Sequence, residues 1–351
     1  MALLKRGWLV GTITTLVVAA LALGAVLYLG GRAGIGPLAD PGHDGNNGHG
    51  GGTILPKVCP LTGLKPSGDA VPNRPALAVK VENLPAARPQ TGLSWADIIY
   101  EEPVEAGITR FIVVYQCQNA SRIEPVRSAR FTDVDVLTQL SHPVFGFAGG
   151  VPSVLSRIHG AQLVDVNFDR YPKIYHRDPA RQQPHNLYTS TQALYAAARS
   201  KSGPPVPLFV YSTHAPRGKT VSAMHIPFST YTDLTWKWVP GKHGYERYDT
   251  GQPQVLSDGT PITTKNVVVQ MVMVTLTGVT DVNGVHSPEA VVVGSGKVYI
   301  LRGGKMISGT WRRPGLGDKT VFTDGSGHRI ALAPGTTWIE LVPNTISIQP
   351  S

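Results

Sequence analysis

Hydrophobic positions fall into three regimes along the chain. Residues 7–31 form an unbroken uncharged run, preceded by Lys5 and Arg6 and closed by Arg32. Roughly 20 apolar residues cross a bilayer core, so residues 1–32 are predicted to be a signal anchor with one transmembrane helix. A cleavable leader has a shorter apolar core, and the cleavage-like Ala20-Leu21-Ala22 sits inside the run with more apolar residues after it. The positive-inside rule keeps Lys5 and Arg6 in the cytoplasm. The expected location is the cell membrane, single-pass, with the bulk of the chain extracytoplasmic. Residues 33–55 are rich in glycine and proline, cannot bury a core, and read as a flexible tether.

From residue 56 onward, short apolar runs alternate with turn residues. Strands are predicted at 76–81, 96–100 and 108–117, with a short strand at 143–147 and an extended segment at 163–166. Helices are predicted at 131–140, 151–159 and 187–199, with Pro152 tolerated in the first turn of the second. The alternation indicates a layered mixed α/β domain over 56–202. Gly203-Pro204-Pro205-Val206-Pro207 marks a boundary, and over 208–351 helical periodicity almost vanishes. Strands are expected there at 267–276, 290–293, 297–301 and 338–342, with turns at Gly303-Gly304 and Asp324-Gly325. The predicted class is therefore α+β: a layered α/β first domain and a mostly β second domain.

The formal charge is +9, from 32 basic and 23 acidic side chains. Setting aside Lys5, Arg6 and Arg32 leaves 29 basic residues, an excess of six on the exported part. That balance suits an anionic envelope polymer or a membrane surface. Export, and the lack of a basic run interleaved with aromatics, argue against nucleic acid. The two cysteines, Cys59 and Cys117, are expected to form a disulfide outside the cytoplasm, the alternative being two buried thiols.

Common hydrolase motifs are missing: there is no Gly-x-Ser-x-Gly elbow, zinc-binding His-Glu-x-x-His helix or Ser-x-x-Lys pair. Gly218-Lys219-Thr220 resembles the end of a phosphate loop, but Thr213 stands where the first glycine belongs. His142, His159 and His176 lack compact ligand spacing, so neither a metal nor a cofactor is expected. Asn119-Ala120-Ser121 fits the short glycosylation pattern.

The densest chemistry runs from Arg177 to Thr189, where Arg177, Asp178, Arg181, His185 and Asn186 are gathered between Pro179 and Pro184 or beside them. Arg127 and Arg130 form a second cluster; three apart, they would share one face of a helical turn. Planar guanidinium forks suit a carboxylate or phosphate better than lysines do. Glu101, Glu105 and Asp178 would orient these arginines, and Arg110, just after Glu105, is a further candidate for the ligand. Asn186 is expected to cap a helix starting at Leu187, and His185 would be a general base if Glu105 or Asp178 lay within reach. If the two clusters meet, they make a cationic pocket that binds an anionic cell-envelope ligand. Three alternatives stay open: an ion network that only holds loops, a hydrolase or transferase acting on envelope polymers, and a scaffold that docks an envelope protein.

Several segments resemble the YerB-like family of exported bacterial proteins. They include Val81-Glu82-Asn83, residues 87–93, residues 96–101, residues 105–111, Pro125 to Arg130 and Arg177 to Thr189. In the second part, Asn266-Val267-Val268-Val269, Gly309-Thr310-Trp311 and residues 334–338 continue the likeness. The resemblance implies a two-part envelope protein with a layered α/β first domain and brings no settled catalytic activity. Many relatives look like lipoproteins, whereas this chain lacks a lipobox cysteine after its apolar run.

Overall fold

The computed structural model describes residues 57–281 and 284–351. The predicted transmembrane helix and tether lie outside the described residues. Among the described residues, no helix is long and apolar enough to cross a membrane. Strands dominate. The first five are β1 (Leu77–Glu82), β2 (Ile98–Pro103), β3 (Thr109–Tyr115), β4 (Val144–Gly146) and β5 (Val164–Asp165). Next come β6 (Ala223–Pro227), β7 (Asp233–Val239), β8 (Gly244–Asp249), β9 (Asn266–Thr280) and β10 (His286–Val291). Further along are β11 (Gly294–Arg302), β12 (Lys305–Arg313), β13 (Val321–Asp324) and β14 (Thr337–Pro343), and short two-residue pairings such as His176–Arg177 with Leu187–Tyr188 complete the set. Three short α-helices accompany them: α1 (Phe131–Leu137), α2 (Pro152–His159) and α3 (Thr191–Ala198).

The main sheet runs β13-β12-β11-β9-β14-β2-β3-β1-β4-β5, with β10 branching from β9. Strands from both sides of the Gly203–Pro207 segment share it, because β14 lies parallel to β2 and sets Glu340 opposite Glu101. A smaller sheet built on β6, β7 and β8 covers one face. β1, β2 and β3 are buried almost throughout, which explains their near-continuous apolar sequence: both faces are covered. Leu77, Val79, Phe111 and Val113 point into one core with Trp236 and Trp338. Ala78, Ile112 and Val114 point into the other, with Val134 and Leu137 of α1. Trp338 meets the rings of Phe111 and Trp236 edge-on at 5.2 and 5.1 Å.

Local chemistry accounts for the helix ends. Asp133 Oδ2 accepts the Arg130 N–H at 2.6 Å, so α1 begins where its third residue can reach back. The helix expected from Leu187 begins four residues later. Leu187-Tyr188 instead pairs with His176-Arg177, and the Ser190 hydroxyl accepts the Ala193 N–H at 3.1 Å as the true N-cap. Asn186 is therefore not a cap. The Cys59–Cys117 disulfide is formed, with Cα atoms 5.9 Å apart.

Candidate functional site

The two arginine clusters meet at a residue that the spacing argument passed over, Glu82. Its carboxylate is fully buried at the end of β1 and is approached from both sides. His185 Nδ1 lies 2.8 Å from Oε2, and Arg127 Nε stands 3.1 Å from Oε1. The latter is close enough for charge attraction but is misaligned for a hydrogen bond. Neither Glu105 nor Asp178, the expected partners, is the residue that pairs with His185.

Arg127 and Arg130 diverge because the backbone around them is not helical. Arg130 is extended at the entrance to α1 and turns to Glu105, with Nε 2.7 Å from Oε1 and Nη2 2.7 Å from Oε2. Burial pushes the Glu105 carboxyl up, but this fork and the Ser287 hydroxyl outweigh it and hold the group below its usual range.

Arg177 and Arg181 also separate. Arg177 sits in a short strand and donates to Asn186 Oδ1 at 2.9 Å. The Asn186 amide donates in turn to the Asp178 and Arg181 carbonyls at 3.1 and 3.2 Å, which closes the turn. Arg181 reaches the Pro89 carbonyl at 2.7 Å and Glu124 at 3.5 Å. Asp178 accepts the Ala180 N–H and pairs with Arg122, and both interactions lower its pKa. Arg122, Glu124, Asp178 and Arg181 line an open cavity of about 320 Å³. Arg122 and Glu124 were absent from the sequence-based candidates.

Glu101 belongs elsewhere. It is buried on the opposite face of the sheet, where Arg247 Nη2 lies 2.7 Å from both carboxylate oxygens and Thr109 donates at 2.6 Å. Glu340 lies beside it on β14 and accepts the Trp236 indole N–H at 2.7 Å. Burial, then the Glu101 charge, holds the Glu340 carboxyl well above its usual range. This buried cluster ties β2 to the second part of the chain.

Arg110 is the exception among the arginines. It projects from β3 between Glu82 of β1 and Glu102 of β2, its register partners, yet no carboxylate forms an ion pair with it among the described residues. Only 6% of it is exposed, its Nη1 donates to the Ser128 carbonyl at 3.2 Å, and its Nε has no partner. Burial and the neighbouring Arg130 lower its pKa to about 10. The local set of Arg110, Arg127, Arg130, Glu82 and Glu105 carries one cation in excess.

The model of a protein of unknown function, DUF3048, matches in two parts: its N-terminal domain over residues 61–204 and its C-terminal domain over 224–339. The chain is 28% identical over 296 residues to a Bacillus subtilis protein described as "Putative lipoprotein YerB", covering 81% of this chain and 86% of that one. It is also similar to the crystal structure of the YerB protein from Bacillus subtilis. The TM-score is 0.72 at 26% identity, covering 83% of this chain and 99% of the other.

Proposed function

The chain belongs to the DUF3048 family, the YerB-like proteins of unknown function, and from that premise we propose that it is a membrane-anchored extracytoplasmic protein that binds an anionic envelope ligand. The uncharged run at residues 7–31 and a relative described as a lipoprotein support the location. One observation carries the binding reading: the Arg110 guanidinium is buried beside two others and, among the described residues, forms no ion pair, with Glu105 and Glu82 attracting it only from farther off. Desolvating an unpaired cation costs several kcal/mol, so a fold tolerates it where a ligand supplies the missing charge. Arg127 and Arg130 are partly accessible, with side chains 24% and 11% exposed, and would present the anion to Arg110. His185, held by Glu82, borders the same group.

Arg110→Met tests this reading. It keeps the volume of the side chain and removes the unpaired charge. Binding of a poly(glycerol phosphate) polymer should weaken about tenfold or more, a loss of about 1.4 kcal/mol, while the melting temperature stays level or rises. A fall in melting temperature with binding intact would mean that Arg110 only holds the fold.

A further inference from the structure

We propose a second binding site, specific for a neutral oligosaccharide, in the groove between the Leu93–Trp95 turn and the start of α3. The groove encloses about 600 Å³ and is lined by Arg74, Trp95, Asn119, Ser121, Gln192 and Tyr195 among others, with no carboxylate. That volume lies within the roughly 300–1,000 Å³ of small-ligand sites.

Trp95 is the anchor. It is 50% exposed, an unusual state for the largest apolar side chain, and the backbone is built to keep it there. Gly92 adopts φ +92°, and a Cβ at that position would come within 2.4 Å of the Arg122 carbonyl. The Gly92 carbonyl accepts the Tyr115 hydroxyl at 3.1 Å and the Trp95 N–H at 3.3 Å. Leu93, buried, pins the turn from below. An indole held out by a fixed turn offers an apolar face with a polar edge.

The polar wall suits a ligand rich in hydroxyl groups. Arg74, the one charged group in the lining, commits three of its five N–H groups to the fold: it donates to the Gln116 carbonyl and to Asn119 Oδ1 at 2.7 Å and to the Gln118 carbonyl at 3.0 Å. It also stacks over the Tyr195 ring at 4.4 Å. These contacts hold the guanidinium in place, and its two remaining N–H groups can donate to a ligand hydroxyl. Asn119 spends its carbonyl oxygen on Arg74, which leaves its amide N–H groups to face a ligand. Gln192 and Ser121 are exposed and have no protein partner among the described residues. Amides and hydroxyls beside an aromatic face match a pyranose, which has one C–H-rich face and a rim of hydroxyls that both donate and accept. Most glycosidic cleavage uses two carboxyl groups flanking the bond, and this lining has none, which favours binding over cleavage.

The full chain, purified in a zwitterionic detergent, can be titrated calorimetrically with maltotetraose, cellotetraose, chitotetraose and, as an anionic counterpart, tetragalacturonate. At least one neutral tetramer should bind with a Kd of about 1 mM or tighter. Trp95→Ala should weaken that binding about tenfold, and Gln192→Ala by about threefold, with unchanged melting temperatures because both side chains are exposed. Three results would overturn the proposal: no heat from any neutral tetramer up to about 10 mM, tighter binding of tetragalacturonate, or neutral binding that survives both substitutions. The site shares no residue with the Arg110 cluster, so either can fail alone.

Discussion

Raising the pH from about 3 to about 8 should cost this fold roughly 4 kcal/mol through one carboxyl, that of Asp97. Asp97 is fully buried at the entry to β2, and its Oδ2 accepts the Cys117 N–H at 3.1 Å. Burial pushes its pKa from 3.8 up to about 7, against the smaller lowering effects of backbone hydrogen bonds and Arg74. In the unfolded chain Asp97 releases its proton near the lower value, and in the folded chain near the higher one. Between them the folded state binds more protons, so the stabilisation is complete below pH 3.8 and is lost as the pH rises through about 7. A gap of about three pH units, at about 1.36 kcal/mol each, gives the magnitude. Glu102 and Glu340 are shifted the same way, so the wild-type profile alone does not isolate Asp97. Asp97→Asn does, because asparagine retains an acceptor for the Cys117 N–H and does not titrate. Denaturant unfolding of both proteins, disulfide intact, should show the variant losing less stability than the wild type across this range, by about 4 kcal/mol. A difference constant to within about 1 kcal/mol would refute the argument that burial controls this carboxyl.

Two further substitutions probe the fold. Lys80 is fully buried between Glu102 and Asp133, 2.6 Å from the latter, so Lys80→Met strands two carboxylates and should cost about 3–5 kcal/mol in thermal or denaturant unfolding. Adding Glu102→Gln should recover part of that loss. Gly92→Ala forces a Cβ into the Arg122 carbonyl and a left-handed φ, and should destabilise by more than the roughly 0.4–1 kcal/mol that an unstrained Gly→Ala change contributes to stability.

Many strands were legible because burial on two faces demands apolar runs. No remote information is needed to recognise Ala76 to Val81 or Val267 to Val269, although the latter run continues to Leu276, where Met273 and Leu276 are exposed. Helix positions were legible where the start is marked locally, as at Pro152. The third helix was misplaced because Leu187-Tyr188-Thr189 is apolar enough to extend a helical pattern, while its own preference and its partner at His176-Arg177 make it a strand. The predominance of β structure was underestimated in the first part. The helices there are seven or eight residues long and cover sheet faces whose strands set the architecture.

The site was legible in composition and illegible in pairing, for a physical reason. Spacing arguments assume that arginines three or four apart share a face, which holds only on a helix. Arg127, Arg130, Arg177 and Arg181 sit on extended or turn backbone, so each leaves in its own direction: Arg130 and Arg181 find acceptors on distant segments, Arg127 approaches Glu82, and Arg177 bonds within its own turn. His185 meets Glu82 across 103 positions, and Arg181 meets Pro89 across 92. The usable clue lay in the strands: Lys80, Glu82, Glu102 and Arg110 interrupt runs that otherwise bury only apolar groups. A charge placed there must be paired, since a lone buried ion costs more than packing returns. Lys80 with Glu102, and Glu82 with Arg127 and His185, meet that demand within the fold. Arg110 does not, which shifts the search for a ligand from the conspicuous arginine-rich loop to one residue of β3.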